Sequence, residues 1–308
     1  MKRDLLGLAE LGRDGIVAIL DLARELAPHA TEGRRKRVDL AGRTVANLFF
    51  EASTRTRISF GLAARRLGAD VIDYTASAGS TQKGETLVDT ARNIEAMGVD
   101  VVVCRHAYAG APHLLARRLR ASVVNAGDGA HEHPTQGLLD AYTVREALGR
   151  VEGVRIALIG DIIHSRVARS ALRVFRALGG HVTLIGPPTL VPRTFEKLGA
   201  AVSWDLDEVL PEQDVVVALR IQHERQDAGL IPSVREFARL YGIDARRLER
   251  MKPSCAIMHP GPVMRGVEVT SDVADSPRSL VLRQTTNGVA VRMAVLKWVL
   301  GPEGQGRG

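Results

Sequence analysis

The sequence predicts an α/β fold in two domains, each a parallel β-sheet flanked by helices, and three observations carry that expectation. Short β-branched runs alternate with longer stretches of helical period, which is the pattern of parallel α/β layers. The pattern restarts near residue 150. The 308 residues, 45% hydrophobic and 25% charged, suffice for one or two ordinary cores.

The elements follow in order. In the first half, residues 44–50, 70–74, 100–104 and 122–125 read as strands, because valine, isoleucine and aromatic side chains cluster there between polar breaks. Residues 14–26, 56–67, 85–97, 111–119 and 134–148 read as the helices around them. In the second half the strands are residues 155–159, 181–185, 202–204, 214–218 and 255–258, separated by helical runs such as 165–178. Residues 287–300 read as a last helix and 301–308 as a frayed tail. The division expected is 1–148 for the first domain, 149–286 for the second, then that helix and the tail.

Composition excludes several classes. Aromatic residues are only 4%, too few for the stacking platforms of single-strand nucleic-acid binders. The net charge of +7 divides almost evenly between the two halves, with no basic tail. Six basic residues are lysines and the rest arginines, the planar partners of phosphate and carboxylate, although a compositional bias gives the same excess. Cys104 and Cys255 sit in apolar runs and belong to no CxxC pair, so a reduced, cytoplasmic chain is expected. Charged residues from Lys2 to Asp14 break any signal-peptide core, and no membrane span or membrane partner is expected.

Ligands of parallel sheets bind beyond the carboxyl ends of the strands, so the polar residues just after each run matter most. After Phe50 come Ser53-Thr54-Arg55-Thr56 and a helix. Backbone N–H groups and hydroxyls at a helix start, with an arginine fork, form a phosphate cradle without glycines. Helix capping by Ser53 or Thr54 is the alternative reading. Arg105 follows the third run and can reach the same phosphate, or stand as an ordinary surface arginine. His133-Pro134-Thr135-Gln136 opens a helix, where His133 can stabilise charge on a carbonyl oxygen.

No HExxH or cysteine cluster surrounds His131 and His133, so no metal or other cofactor is expected. Lys83 lies in a Ser/Thr/Gln/Gly-rich stretch that reads as a loop. Arg166 and Arg220 follow strands of the second half and together suit a dicarboxylate; singly, each reads as an ion-pair partner. Gln222 can add a hydrogen bond. Pro260 and Pro262 fix the backbone around Gly261, leaving the Pro260 and Gly261 carbonyls to accept from an amide NH2, or forming only a rigid turn.

These segments resemble the aspartate/ornithine carbamoyltransferase family in order and spacing. They are Ser53-Thr54-Arg55-Thr56, Ser80 to Thr86, Cys104-Arg105-His106, His131 to Gln136, Gly160-Asp161 with Ser165-Arg166, Leu219 to Gln222, and His259-Pro260-Gly261-Pro262. The resemblance covers nearly the whole chain. It implies a carbamoyl-phosphate-binding first domain, an acceptor-binding second domain and a C-terminal helix packing back on the first. The basic Arg220 segment, Lys83-Gly84-Glu85 and the His-Pro-Gly-Pro loop resemble the aspartate branch; ornithine, or another amino acid, is the alternative acceptor. The family more often has Leu or Ala where Gly261 stands.

The resemblance further implies that Ser53–Thr56, Lys83 and Arg105 hold phosphate, that Thr56, Arg105 and His133 polarise the carbamoyl oxygen, and that Gln136 with the Pro260 and Gly261 carbonyls orients its NH2. Arg166, Arg220 and Gln222 would hold L-aspartate. The loop carrying Ser80 and Lys83 would reach a neighbouring subunit's site in a homotrimer, with a regulatory chain or dihydroorotase as possible companion. A non-catalytic phosphate- or nucleic-acid-binding protein is the reading from a different class; it expects steeply salt-dependent polyanion binding.

Overall fold

Strand pairing in the computed structural model, which describes residues 2–31, 37–75, 85–221 and 233–301, gives two separate parallel sheets. The chain divides into two units, residues 1–142 with 286–308 and residues 143–285.

The first unit runs α1 (Leu8–Thr31), β1 (Thr44–Phe49), α2 (Thr54–Arg66), β2 (Asp70–Thr75), α3 (Leu87–Glu95), β3 (Val101–His106), α4 (Ala111–Ala116), β4 (Ser122–Asp128) and the start of α5 (Pro134–Leu148). Its sheet has the order β2-β1-β3-β4. The run Val101 to Cys104 is fully buried, as a strand covered on both faces must be. Ala46, Leu48, Val102, Cys104, Leu115 and Val123 form one apolar cluster.

The second unit continues with β5 (Arg155–Ile159), α6 (Arg166–Ala177), β6 (His181–Ile185), β7 (Ala201–Ser203), α7 (Leu206–Val209) and β8 (Val215–Ala218). After these come α8 (Val234–Tyr241), α9 (Ala245–Arg250), β9 (Ala256–Met258), α10 (Ser271–Ala274) and α11 (Val281–Leu300). Two 3-10 turns, Arg193–Leu198 and Leu210–Glu212, lie between strands. The sheet order is β7-β6-β5-β8-β9, with Ile159, Ile185, Val216, Ala218 and Ile257 in its core.

Both orders contain a switch point. From β1 the chain steps outward to β2 and then returns to the other flank at β3; from β5 it steps to β6 and β7 and returns at β8. Loops leaving two such neighbours diverge to opposite faces and open a crevice at their carboxyl ends. The crevices lie at β1/β3 in one unit and β5/β8 in the other.

Some details differ from the sequence expectation. Strand β3 extends to His106 because Arg105 pairs with Phe49 of β1, so Arg105 sits inside the strand rather than after it. Helix α1 starts earlier than expected and is broken at Gly12 (φ 67°). Helix α11 starts at Val281, several residues before the expected 287. The C-terminal helix packs on the first unit: Ser122 Oγ donates to the Val299 carbonyl at 3.5 Å, and Lys297 Nζ lies 2.9 Å from Asp39 Oδ1. Among the described residues no helix is long and apolar enough to cross a membrane.

Candidate active site

The first crevice is built by three adjacent strand ends. Ser53 precedes α2 with extended backbone (φ −163°) and makes no side-chain cap bond, so the capping alternative does not hold for it. The first N–H groups of α2 therefore point outward from a helix start whose dipole favours an anion. Thr54 and Arg55 are exposed there, Ser53 is half-buried, and Thr56 is buried.

Register places Arg105 beside this loop, since Phe50 N–H donates to the Arg105 carbonyl at 2.9 Å. The Arg105 guanidinium donates to the Ala126 carbonyl at 3.3 Å and to Glu51 Oε1 at 3.4 Å. It bridges the end of β3 to β4 on one side and to the loop after β1 on the other.

Strand β4 leads to His133, which is buried and whose carbonyl receives the first bond of α5 from Gln136 N–H at 2.9 Å. One turn on, the Gln136 side-chain amide donates to Asp140 Oδ1 at 2.9 Å. That bond fixes the amide's orientation and turns Gln136 into an acceptor through Oε1, the role an amide-bearing ligand needs.

In the second unit, Leu219 N–H donates to the Ile159 carbonyl at 2.8 Å, which sets the segments after β5 and β8 side by side. A Cβ at Gly160 (φ 134°) would stand 2.9 Å from the Leu219 carbonyl oxygen, so only glycine permits this approach. The loop ends at Ser165, whose hydroxyl accepts from Ala168 N–H at 3.1 Å and starts α6 with the buried Arg166 at its first position. Arg220 is half-buried just past β8.

The turn after β9 adjoins β8. His259 N–H donates to Gln284 Oε1 at 2.9 Å, and Gly261 N–H donates to His259 Nδ1 at 2.8 Å. The Nδ1 atom is thus an acceptor and the ring proton lies on Nε2, 3.8 Å from Glu268 Oε2. Gly261 has φ 70°, in the left-handed region that glycine adopts without strain. The Gly261-Pro262 bond is cis. Among the described residues no hydrogen bond uses the Pro260 or Gly261 carbonyl.

Glu268 is a residue the sequence reading missed. It is buried and accepts from Ile221 N–H at 3.2 Å and Met264 N–H at 2.8 Å, joining the segment that carries Arg220 to the turn that follows Pro262. Burial pushes its carboxyl pKa up, against those hydrogen bonds and the Arg220 charge. A lone glutamate in an irregular stretch gives no sequence signal. Asp140 was equally overlooked, although its position one turn after Gln136 was the available clue.

The fold brings Ser53, Thr54, Arg55, Thr56, Arg105, His133 and Gln136 to one sheet edge, and Arg166, Arg220, Pro260, Gly261 and Pro262 to the corresponding edge of the other unit. Ser80, Lys83 and Gln222 lie outside the described residues. An open cavity of about 1070 Å³ occupies the opposite, N-terminal edge of the first sheet, lined by Lys2, Arg43, Asp100, Arg118 and Arg120 among others, and contains none of these residues.

Helix-start N–H groups with arginines in one unit, and two arginines at strand ends in the other, suit proteins that bind anionic ligands such as phosphates and carboxylates. The family model for the aspartate/ornithine carbamoyltransferase carbamoyl-P binding domain matches residues 3–146, and that for the Asp/Orn binding domain matches residues 152–299. The chain belongs to the aspartate/ornithine carbamoyltransferase family.

Among relatives, the aspartate carbamoyltransferase catalytic subunit of Thermobifida fusca is 56% identical over 96% of this chain and 95% of its own length. That of Frankia casuarinae is 53% identical over 99% and 96%. Aspartate transcarbamoylase of Trypanosoma cruzi, solved with carbamoyl phosphate and aspartate, superposes with a TM-score of 0.86 at 32% identity over 96% of each chain. The catalytic subunit of M. jannaschii aspartate transcarbamoylase gives 0.86 at 33% identity over 100% of each.

Proposed function

We infer that this enzyme transfers the carbamoyl group of carbamoyl phosphate to the amine of L-aspartate, releasing N-carbamoyl-L-aspartate and phosphate. The observation that carries the reading is the placement of arginines at both switch points, Arg55 and Arg105 at β1/β3 and Arg166 and Arg220 at β5/β8. The first unit holds the donor: the α2 N-terminus, Ser53, Thr54, Arg55 and Arg105 take the phosphate, joined by Lys83. The second holds the acceptor, with Arg166 and Arg220 each forking onto a carboxylate and Gln222 adding a hydrogen bond.

The neutral amine attacks the carbamoyl carbon and a tetrahedral intermediate forms. Thr56, Arg105 and His133 donate to the oxygen as charge develops there, the largest stabilising effect in acyl-type transfers. Gln136 Oε1 and the Pro260 and Gly261 carbonyls accept from the NH2. The C–O bond to phosphate then breaks, and the departing phosphate takes the amine proton. Catalysis is mostly positioning and electrostatics.

The assembly proposed is a cytoplasmic homotrimer in which the Ser80 and Lys83 loop completes a neighbour's site. Mixing two inactive variants, Lys83→Ala and Arg55→Ala, tests this: mixed trimers regain partial activity if sites are shared, and none if each chain supplies its own loop.

An assay of carbamoyl phosphate with L-aspartate or L-ornithine, scoring the ureido product, tests the reaction. Product forms with aspartate. Product from ornithine alone overturns the acceptor, and product from neither overturns the enzyme reading. Arg55→Ala should lower kcat by about 10²–10³-fold, as loss of one transition-state contact does.

A further inference from the structure

His131 lacks metal-ligand company in the sequence, but the fold supplies it. Helix α4 brings His113, the end of β4 brings Asp128, and the turn closed by pairing of Asp128 with Glu132 brings His131. One donor atom from each lies within 4.8 Å of the other two. Two contacts define the cluster further. His131 Nδ1 is 3.1 Å from Asp128 Oδ2, and His113 Nε2 is 3.1 Å from Glu10 Oε1. The two imidazoles meet edge to face at 5.6 Å between centroids.

In a tetrahedral site with bonds of about 2.0–2.1 Å, neighbouring donor atoms stand about 3.3 Å apart. The His131 Nδ1–Asp128 Oδ2 pair already has nearly that spacing. An ion entering the cluster takes the place of the proton that this pair shares.

Asp128 is held rigid for the purpose. It is fully buried, and Gly110 N–H donates to Oδ2 at 2.7 Å while Asn125 Nδ2 and Glu132 N–H donate to Oδ1 at 2.8 and 3.2 Å. With one bond from Gly110, Oδ2 keeps a lone pair toward His131. The other ring nitrogen of His113, Nδ1, is buried with no hydrogen-bond partner among the described residues. The side chains of His113, His131 and Glu10 are 23%, 34% and 58% exposed, which leaves an ion a path from solvent.

We propose that His113, His131 and Asp128 bind one divalent transition-metal ion of the zinc class. Two imidazoles with one carboxylate suit zinc, cobalt or nickel; magnesium and calcium call for oxygen ligands throughout. Residues Asp128 to Glu132 lead directly into His133, so an occupied site stiffens the turn that holds that histidine.

The full chain, stripped with a chelator, is titrated with zinc in competition with a chromophoric chelator and separately with cobalt, whose visible absorption reports tetrahedral coordination. Expected are one ion per chain, a tetrahedral cobalt spectrum, and zinc affinity weakened about tenfold or more in both His113→Gln and His131→Gln. Melting of the metal-free variants checks their folding. If His131→Gln does not fold, His113→Gln carries the comparison. Zinc binding that is weaker than millimolar, or that neither variant changes, overturns the proposal.

Discussion

Ser53 and Ser165 each stand one residue before a helix, yet their hydroxyls do different things. Ser165 Oγ is spent on Ala168 N–H, whereas Ser53 makes no such bond. Ser165→Ala should therefore cost about 1 kcal/mol of stability, measured by denaturant unfolding, and loosen Arg166 enough to raise KM for aspartate. Ser53→Ala should leave stability nearly unchanged and raise KM for carbamoyl phosphate. The two thiols are a further residue-scale case. Burial pushes Cys104 up to about 12 and Cys255 up to about 11, so almost no thiolate exists at neutral pH. Thiol reagents at pH 8 should leave the native enzyme active and unlabelled, and should label two thiols per chain in denaturant.

At the scale of elements, helix α5 works as a ruler that sets His133 at its start and Gln136 and Asp140 on successive turns. Asp140 is a positioning residue, fixing the Gln136 amide. Gln136→Ala and Asp140→Ala should each raise KM for carbamoyl phosphate, and the double variant should be no worse than the more severe single one, since both remove the same acceptor; initial-rate kinetics on the three proteins measures that coupling. The strand ends were legible in the sequence because β-branched runs stop abruptly at polar residues, as Phe50 to Ser53 and Ala218 to Arg220 do. Arg105 was legible as a residue but not as part of a strand, because its pairing with Phe49 depends on a partner distant in the chain. The start of α11 was hidden by Arg283, Gln284, Thr285 and Thr286, polar residues that interrupt the apolar period. Glu268 and the His113–Asp128–His131 cluster depend wholly on tertiary packing, which no local pattern encodes.

At the scale of the whole molecule, several of the described arginines are engaged in structure. Arg247 is buried and pairs with Asp207 while donating to the Gly242 and Leu240 carbonyls, and Arg278 donates to three carbonyls around β9. Asp39 joins this pattern in the first unit: Arg37 hydrogen-bonded beside it, with Lys297 of α11, holds its carboxyl far below the usual range despite the opposing effect of burial. A depressed carboxylate contributes stability above its unfolded pKa and loses it as pH falls. Asp39→Asn should lower the melting temperature by about 2 °C near neutrality, and the gap from the parent should start to narrow below about pH 4 and close only as pH approaches the far lower folded pKa. The contact it weakens has a bearing on how the chain is made. Residues 286–308 belong to the first unit although the whole of the second unit precedes them. During synthesis, residues 143–285 leave the ribosome as an uninterrupted stretch and can fold first, while the donor-binding unit, begun earlier, waits for α11. The unit begun first is thus the one whose last helix is made last.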